Sequence, residues 1–221
     1  MRIFVTGIAG FIGSTVAELL RDCGHQVSGC DDLSLGRWIN VPEGIDWDVG
    51  DLRDMKAINA DVVVHLAAMS TCVAPDPLLG AYAGSKWACE NILPDATIFR
   101  FANVYGPKQR DWGAEPGVLA AWQKAEAAGE PIRIDGDGSQ TRDFIHVDDV
   151  ARAILLACES DEGDGHTMDI CTGVQTPVIE LADHFDAPRE FAPRNPVDPD
   201  SMPQDPEPAA RVLGFRSAIE L

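Results

Sequence analysis

Met1-Arg2-Ile3-Phe4-Val5-Thr6-Gly7-Ile8-Ala9-Gly10-Phe11-Ile12-Gly13 decides the fold. Arg2 to Thr6 is a short apolar run that reads as a strand, and Phe11 to Arg21 repeats its apolar residues at helical spacing up to Gly24. Between them the glycines recur as G-x-x-G-x-x-G. Gly7 permits a tight turn, Gly10 lets backbone come close to a pyrophosphate, and Gly13 allows a helix to lie close on a strand. Phe11 and Ile12 open that helix, whose N-terminus suits a phosphate group. The stretch therefore predicts a dinucleotide-binding strand–turn–helix.

Working outward, Gln26 to Cys30 reads as a second strand ending at Asp31-Asp32, and a third near Ile45 to Trp47 ends at Gly50-Asp51-Leu52. Asp61 to Leu66 is an apolar strand of the buried, parallel kind. Thr97 to Ala102 is a further strand. Helices are expected over Leu78–Leu93 and Gly117–Ala128, and from a cap at Asp148 or Asp149 to Cys158. Strand and helix alternate, so the class is α/β with a doubly wound parallel sheet. Asp31 lies 18 residues beyond Gly13, where a carboxylate binds both adenosine ribose hydroxyls. It repels a 2′-phosphate, so NAD is favoured over NADP.

Tyr82 and Lys86 are four residues apart in Tyr82-Ala83-Gly84-Ser85-Lys86, one helical turn, so both project from one face. An ammonium beside a phenol favours the phenolate. Beside a dinucleotide, the pair describes hydride chemistry with a tyrosine acid/base.

Composition narrows the partners. The 221 residues suffice for one sizeable core or a core with a small second lobe. Acids outnumber bases 36 to 17, a formal charge of −19, which repels nucleic acid and anionic membrane. No apolar run is long enough to span a bilayer, and the first strand begins at once, so a cytoplasmic protein is expected. The six cysteines form no C-x-x-C pair and read as free thiols, and no metal site is expected.

These motifs together resemble the extended short-chain dehydrogenase/reductase family, specifically its NAD-dependent nucleotide-sugar epimerases and dehydratases. The matching pieces are TGIAGFIG (6–13), DDLSLG (31–36), GDLRD (50–54), HLAA (65–68), YAGSK (82–86), RFANVYGP (100–107), GDGSQTRDFIHVDDVARA (136–153) and LGF (213–215). The resemblance implies a Rossmann-type NAD-binding domain over residues 1–110 with 143–172, and a small nucleotide-sugar lobe over 111–142 with 173–221. It implies that Asp32 joins Asp31 at the adenosine end and that Asp51 and Leu52 flank the adenine. Leu66, Ala67 and Ala68 would line the cofactor on the way to the nicotinamide. Lys86 would bind the nicotinamide ribose and lower the pKa of Tyr82. Asn103, Arg142 and, more loosely, Arg194 would hold a nucleoside diphosphate sugar, the arginines by bidentate contact to phosphate.

One departure is large. Relatives of this kind carry a helix, a strand and a Ser/Thr motif between His-Leu-Ala-Ala and the Tyr helix. Here only Met69 to Ala81 lies there, too short for a crossover unit. Ser70 takes the place of the catalytic hydroxyl, with Thr71 the alternative, and the Thr97 strand could pair directly with the Val62 strand. The missing helix usually builds a dimer, so a monomer or a different dimer contact is expected. The implied reaction is C4 epimerisation of a UDP-hexose-like sugar nucleotide through a 4-keto intermediate. A dehydratase or reductase of the same superfamily, and a non-catalytic NAD-binding module, are the alternatives. Dehydration fits less well, because no Asp-Glu pair follows Ser70 or Thr71.

Overall fold

The computed structural model describes residues 1–55, 57–68, 95–110, 117–196 and 198–221. The expected Leu78–Leu93 helix, and Ser70, Thr71, Tyr82 and Lys86, lie outside the described residues. The chain forms two compact units. One is Met1–Ile98 with Val150–Thr167, the other Phe99–Asp149 with Met168–Leu221. Residues 99–110, 143–149 and 168–172, grouped by sequence with the N-terminal domain, fall in the second unit.

The first unit is built on β1 (Arg2–Thr6), α1 (Phe11–Asp22), β2 (Gln26–Asp31), β3 (Asp46–Val49) and β4 (Val62–His65). The strands are parallel in the order β3-β2-β1-β4. This is the doubly wound order of a Rossmann-type sheet, in which the chain reverses direction across the sheet beside β1. Ile3, Val5, Ile8, Val16, Ala17 and Leu20 are fully buried. On α1 the buried set Gly13, Val16, Ala17 and Leu20 has the three- and four-residue spacing of one helical face. The helix stops where expected: the Gly24 N–H bonds to Arg21 O and the His25 N–H to Leu20 O, with Gly24 at φ +86°.

β4 is parallel as expected but less buried. Only Val64 is in the core, and Val63 is 49% exposed. Among the described residues β4 pairs with β1 alone. β5 (Ile98–Phe101) pairs with β10 (Thr167–Ile170).

The second unit carries β6 (Asn103–Tyr105), α2 (Val118–Ala128), β7 (Ile132–Asp135), β8 (Thr141–Arg142) and β9 (Phe144–His146). After them come β11 (Thr176–Pro177), α4 (Val178–Leu181), β12 (Arg189–Ala192) and α5 (Glu207–Leu213). β6 and β9 are parallel, β12 lies parallel to β7, and β11 runs antiparallel to β8. Leu119, Trp122, Ile132, Ile134, Phe144 and Leu181 form its core. The indole N–H of Trp122 donates to Arg133 O, and its ring meets Phe185 edge-on.

α3 (Val147–Cys158) starts at Val147, so neither Asp148 nor Asp149 caps it from outside. Both acids sit in its first turn, where they still favour the helix dipole. Asp149 is fully buried and accepts hydrogen bonds from the Ala218 and Ile219 N–H groups, anchoring the C-terminal segment. The described residues of the proline- and acid-rich 187–208 stretch lead from β12 into α5. Cys23, Cys30, Cys158 and Cys171 are free thiols; Cys30 and Cys171 are buried, whereas Cys23 is exposed. Among the described residues no helix is long and apolar enough to cross a membrane.

Candidate functional site

The glycine turn is shaped by contacts that no side chain could share. Gly7 has φ +73°, and a Cβ there would stand 2.9 Å from Ala67 N. A Cβ on Gly13 would stand 2.0 Å from Gly7 O. The Gly10 N–H closes the turn on Gly7 O at 3.0 Å, and Gly10 O then accepts from Ser14 N as α1 begins. Gly10 has no side chain with which to cap the helix. The first-turn amides of Phe11, Ile12 and Gly13 are thus left for an anionic ligand, as a pyrophosphate requires.

Asp31, at the end of β2, is 8% exposed. Its Oδ2 accepts from Ala9 N at 3.0 Å and its Oδ1 from Leu33 N at 2.8 Å. Each carboxylate oxygen keeps a further lone pair for a ribose hydroxyl. A Cβ on Gly36 would lie 2.7 Å from Asp31 Oδ1, so the 33–36 loop wraps closely round the acid. Asp32 is turned to its own loop, where Oδ1 accepts from Ser34 N and Oγ, and it is exposed. Sequence reasoning missed Asn40. Its Nδ2 donates to Ala9 O, as does the Arg37 N–H, locking the loop onto the glycine turn. Only its place after DDLSLG could have signalled this.

Asp51 opens the helical turn Leu52–Asp54 and is held by the Arg53 backbone N–H and guanidinium. That hydrogen-bonded arginine lowers its pKa from 3.8 to about 2. Leu52 is half-buried beside it. At the end of β4, the turn Leu66-Ala67-Ala68 is fixed by another residue the sequence reading passed over. Fully buried Thr6 accepts at Oγ1 from Leu66 N (3.2 Å) and Ala67 N (3.1 Å). With both lone pairs engaged, its hydroxyl proton is left for His65 Nδ1, 2.9 Å away. Gly7, Gly10, Phe11, Ile12, Gly13, Asp31, Leu66 and Ala67 are thereby brought together in one cradle, with Asp51 joined through Gly50 N–H to Asp31 O. These are the features a pyrophosphate and a diol-bearing ribose need, and the residues present fit NAD.

In the second unit, Asn103 is fixed by Asp143. Its backbone N–H and its Nδ2 both donate to Asp143 O, at 2.9 and 3.0 Å. The buried Asp143 carboxylate in turn accepts from Thr172 N, Thr172 Oγ1 and Gly173 N. A cavity of about 260 Å³ opens beside Asn103, lined also by Tyr105, Gln109, Val118, Leu119 and Phe144. Gln109 Nε2 donates to Val104 O and fills the space a Cβ on Gly117 would need. Burial, followed by the charge of Asp149, raises the pKa of Tyr105. Arg142 is buried and ion-paired with Asp198, and Arg194 pairs with Asp200.

The chain matches the NAD dependent epimerase/dehydratase family over residues 3–77 and 74–171, and it belongs to that family. It is 31% identical to a UDP-glucose 4-epimerase of Mycolicibacterium smegmatis over an alignment covering all of this chain and 95% of the relative. That alignment runs to 299 positions against 221 residues here, so the relative carries residues that this chain lacks. A putative UDP-glucose 4-epimerase of Methanocaldococcus jannaschii is 27% identical, over 82% of this chain and 80% of its own. Among solved structures, a UDP-glucose 4-epimerase of Thermotoga maritima with UDP-glucose superposes with a TM-score of 0.90 at 27% identity. That superposition covers 100% of this chain and 94% of the other.

Proposed function

We propose that the protein is an NAD-dependent epimerase acting at C4 of a nucleoside diphosphate sugar, with a UDP-hexose as the substrate class. The cradle at Gly7, Gly13 and Asp31 carries this reading, because it combines a pyrophosphate-sized backbone approach with a ribose-directed acid. Membership of the family, and the 31% identical UDP-glucose 4-epimerase, support the substrate class.

In this mechanism Phe11, Ile12 and Gly13 hold the cofactor pyrophosphate, Asp31 the adenosine ribose, and Asp51 and Leu52 flank the adenine. Bound NAD⁺ would supply the reversible acceptor for the C4 hydride, which leaves the carbon as the 4-keto sugar forms and comes back to its other face. Tyr82, kept as phenolate by the Lys86 ammonium, removes the proton of the sugar 4-hydroxyl. Ser70 or Thr71 donates a hydrogen bond to the same oxygen. Asn103 with Arg142 and Arg194 anchors the diphosphate while the 4-keto sugar turns to present its other face. Tyr82 then returns the proton to the oxygen of the inverted carbon.

Met69–Ala81 leaves no room for the crossover helix, so the working state is a monomer or a dimer through another surface, in the cytoplasm. The test is incubation of purified protein with UDP-glucose, UDP-galactose and their N-acetyl and uronate forms. Interconversion without net change in NADH absorbance, lost in Tyr82→Phe by about 10² or more, is expected. Tight NAD binding with no turnover of any of them would sink the reading.

A further inference from the structure

Arg142 and Arg194, which the proposed function assigns to the diphosphate, converge on one short strap of chain. The Arg142 guanidinium donates through Nη2 to the Asp198 carboxylate and through Nη1 to Thr141 O at 2.6 Å. Arg194 donates through Nη2 to the Asp198 backbone O at 3.2 Å, and its Nη1 lies 2.6 Å from Asp200 Oδ1. The strap is laid along β8 by its backbone: Thr141 N–H donates to Asp200 O at 2.8 Å. Further on, Gln175 Nε2 donates to Met202 O. The aliphatic stem of Arg194 covers Gly136, which has φ +72° and whose Cβ would meet Arg194 Cβ at 3.3 Å. Asp137, in that turn, has its pKa lowered chiefly by hydrogen bonds from Ser139, with the Arg194 charge a lesser contribution.

The two pairs differ in kind. Arg142 and Asp198 are 11% and 35% exposed, a sheltered pair that fixes the strap. Arg194 is 34% exposed and Asp200 90%. Asp200 belongs to the strap and is tied to β8 by its carbonyl, while its exposed carboxylate does nothing for the core. Among the described residues its ion-pair partner is the Arg194 guanidinium, through Nη1. A carboxylate and a phosphate compete for the same fork geometry.

We propose that Asp200 is an internal counter-ion that competes with the diphosphate of the sugar nucleotide for Arg194, and so sets the affinity of the site. The inference rests on the assignment of Arg194 to the diphosphate. Asp198 holds the strap in place through Arg142, and Asp200 lowers affinity without blocking entry, because an exposed pair is weak and screened by salt. In a chain of charge −19, such a device also adds to the repulsion that any anionic substrate must overcome.

Calorimetric titration of UDP into the full chain tests this. Asp200→Asn keeps the backbone bond to Thr141 and is expected to bind UDP about 2–5-fold more tightly than wild type at ~20 mM salt. The gain should vanish at ~0.5 M salt. Asp161→Asn, an equal charge change at an exposed position of the first unit, should leave UDP affinity unchanged. Arg194→Ala should weaken UDP binding and abolish the effect of Asp200→Asn in the double variant. If Arg194→Ala weakens UDP but Asp200→Asn does not tighten it, or Asp161→Asn tightens it equally, the counter-ion role is overturned and the nucleotide site stands. If Arg194→Ala leaves UDP binding unchanged, the assignment of Arg194 falls, and the counter-ion with it.

Discussion

At the scale of single residues, the glycines of the turn separate two kinds of constraint. Gly13 has ordinary backbone angles, but its Cβ would be driven to 2.0 Å from Gly7 O, a backbone atom that cannot swing aside. Gly24 is the reverse: nothing lies within 4 Å of its Cβ, yet its φ of +86° is strained for any L side chain. Gly13→Ala must therefore push α1 off the turn and disturb the phosphate-facing amides, whereas Gly24→Ala only strains a helix end. Gly24→Ala is expected to cost about 1–2 kcal/mol of stability with NAD affinity intact. Gly13→Ala is expected to lose NAD binding. Fluorescence titration with NAD, set beside urea melts of both variants, distinguishes them; equal NAD affinity in the two would contradict the steric argument. Asp31 belongs to the same scale. Two backbone N–H groups hold its carboxylate still, as the proposed ribose contact would need.

At the scale of elements, the pairing of β1 with β4 is stapled at both ends. At one end Thr6 bonds the Leu66 and Ala67 amides, which turns the chain into the cofactor cradle. Thr6→Val keeps the shape and deletes Oγ1, so the Ala67 N–H loses this bond while the Leu66 N–H keeps the Thr6 backbone O. It should cost about 1–3 kcal/mol in urea unfolding, and Thr6→Ser should restore most of it. At the other end Asp61 accepts from Arg2 N at 2.8 Å and from the Arg2 guanidinium at 2.6 Å. That arginine, chiefly through its side-chain hydrogen bond, lowers the Asp61 pKa from 3.8 to about 2. A carboxylate with a depressed native pKa adds stability that is complete above its unfolded value and fades as pH falls toward the folded one. Wild type should thus exceed Asp61→Asn in thermal stability at pH 5, with the gap closing between about pH 4 and pH 2. A constant gap across that range, read by circular dichroism, would remove Asp61 from the account. β1 and β4 were legible from sequence because they are short apolar runs bounded by glycine or acid, and local pattern suffices for that. The start of α3 was misplaced because Asp149, whose type suits a cap, accepts instead from the 218–219 backbone, some seventy residues away. Asn40 and Thr6 were missed for a related reason: their work is to bond backbone of other segments, and no spacing rule marks that. Arg142 and Arg194 were named from the family resemblance; their present partners, Asp198 and Asp200, depend on where the strap lies.

At the scale of the whole molecule, charge is the outstanding property. A formal −19 on 221 residues means that folding gathers acids that repel one another. Attractive pairs oppose this, but most are exposed: Arg53 is 84% exposed in its pair with Asp51, and Arg133 and Arg216 each about two-thirds in theirs. Pairs of that kind contribute about 0–1 kcal/mol each and are themselves screened. Salt acts on both sides of the balance. It weakens a small number of local attractions and a larger sum of longer-range repulsions, which have no contact geometry to protect them. With 36 acids against 17 bases the repulsive sum is the greater, so added salt should stabilise the fold. The melting temperature is expected to rise as KCl is taken from ~0.02 to ~0.5 M, most steeply at the low end, where the screening length changes most. Substitution of exposed acids such as Glu190 or Asp161 by lysine should raise the low-salt melting temperature and flatten its salt dependence. A melting temperature that falls with KCl would mean that the ion pairs outweigh the net charge. The acid excess would then be an organised part of the fold, where the present balance makes it a burden the core has to carry.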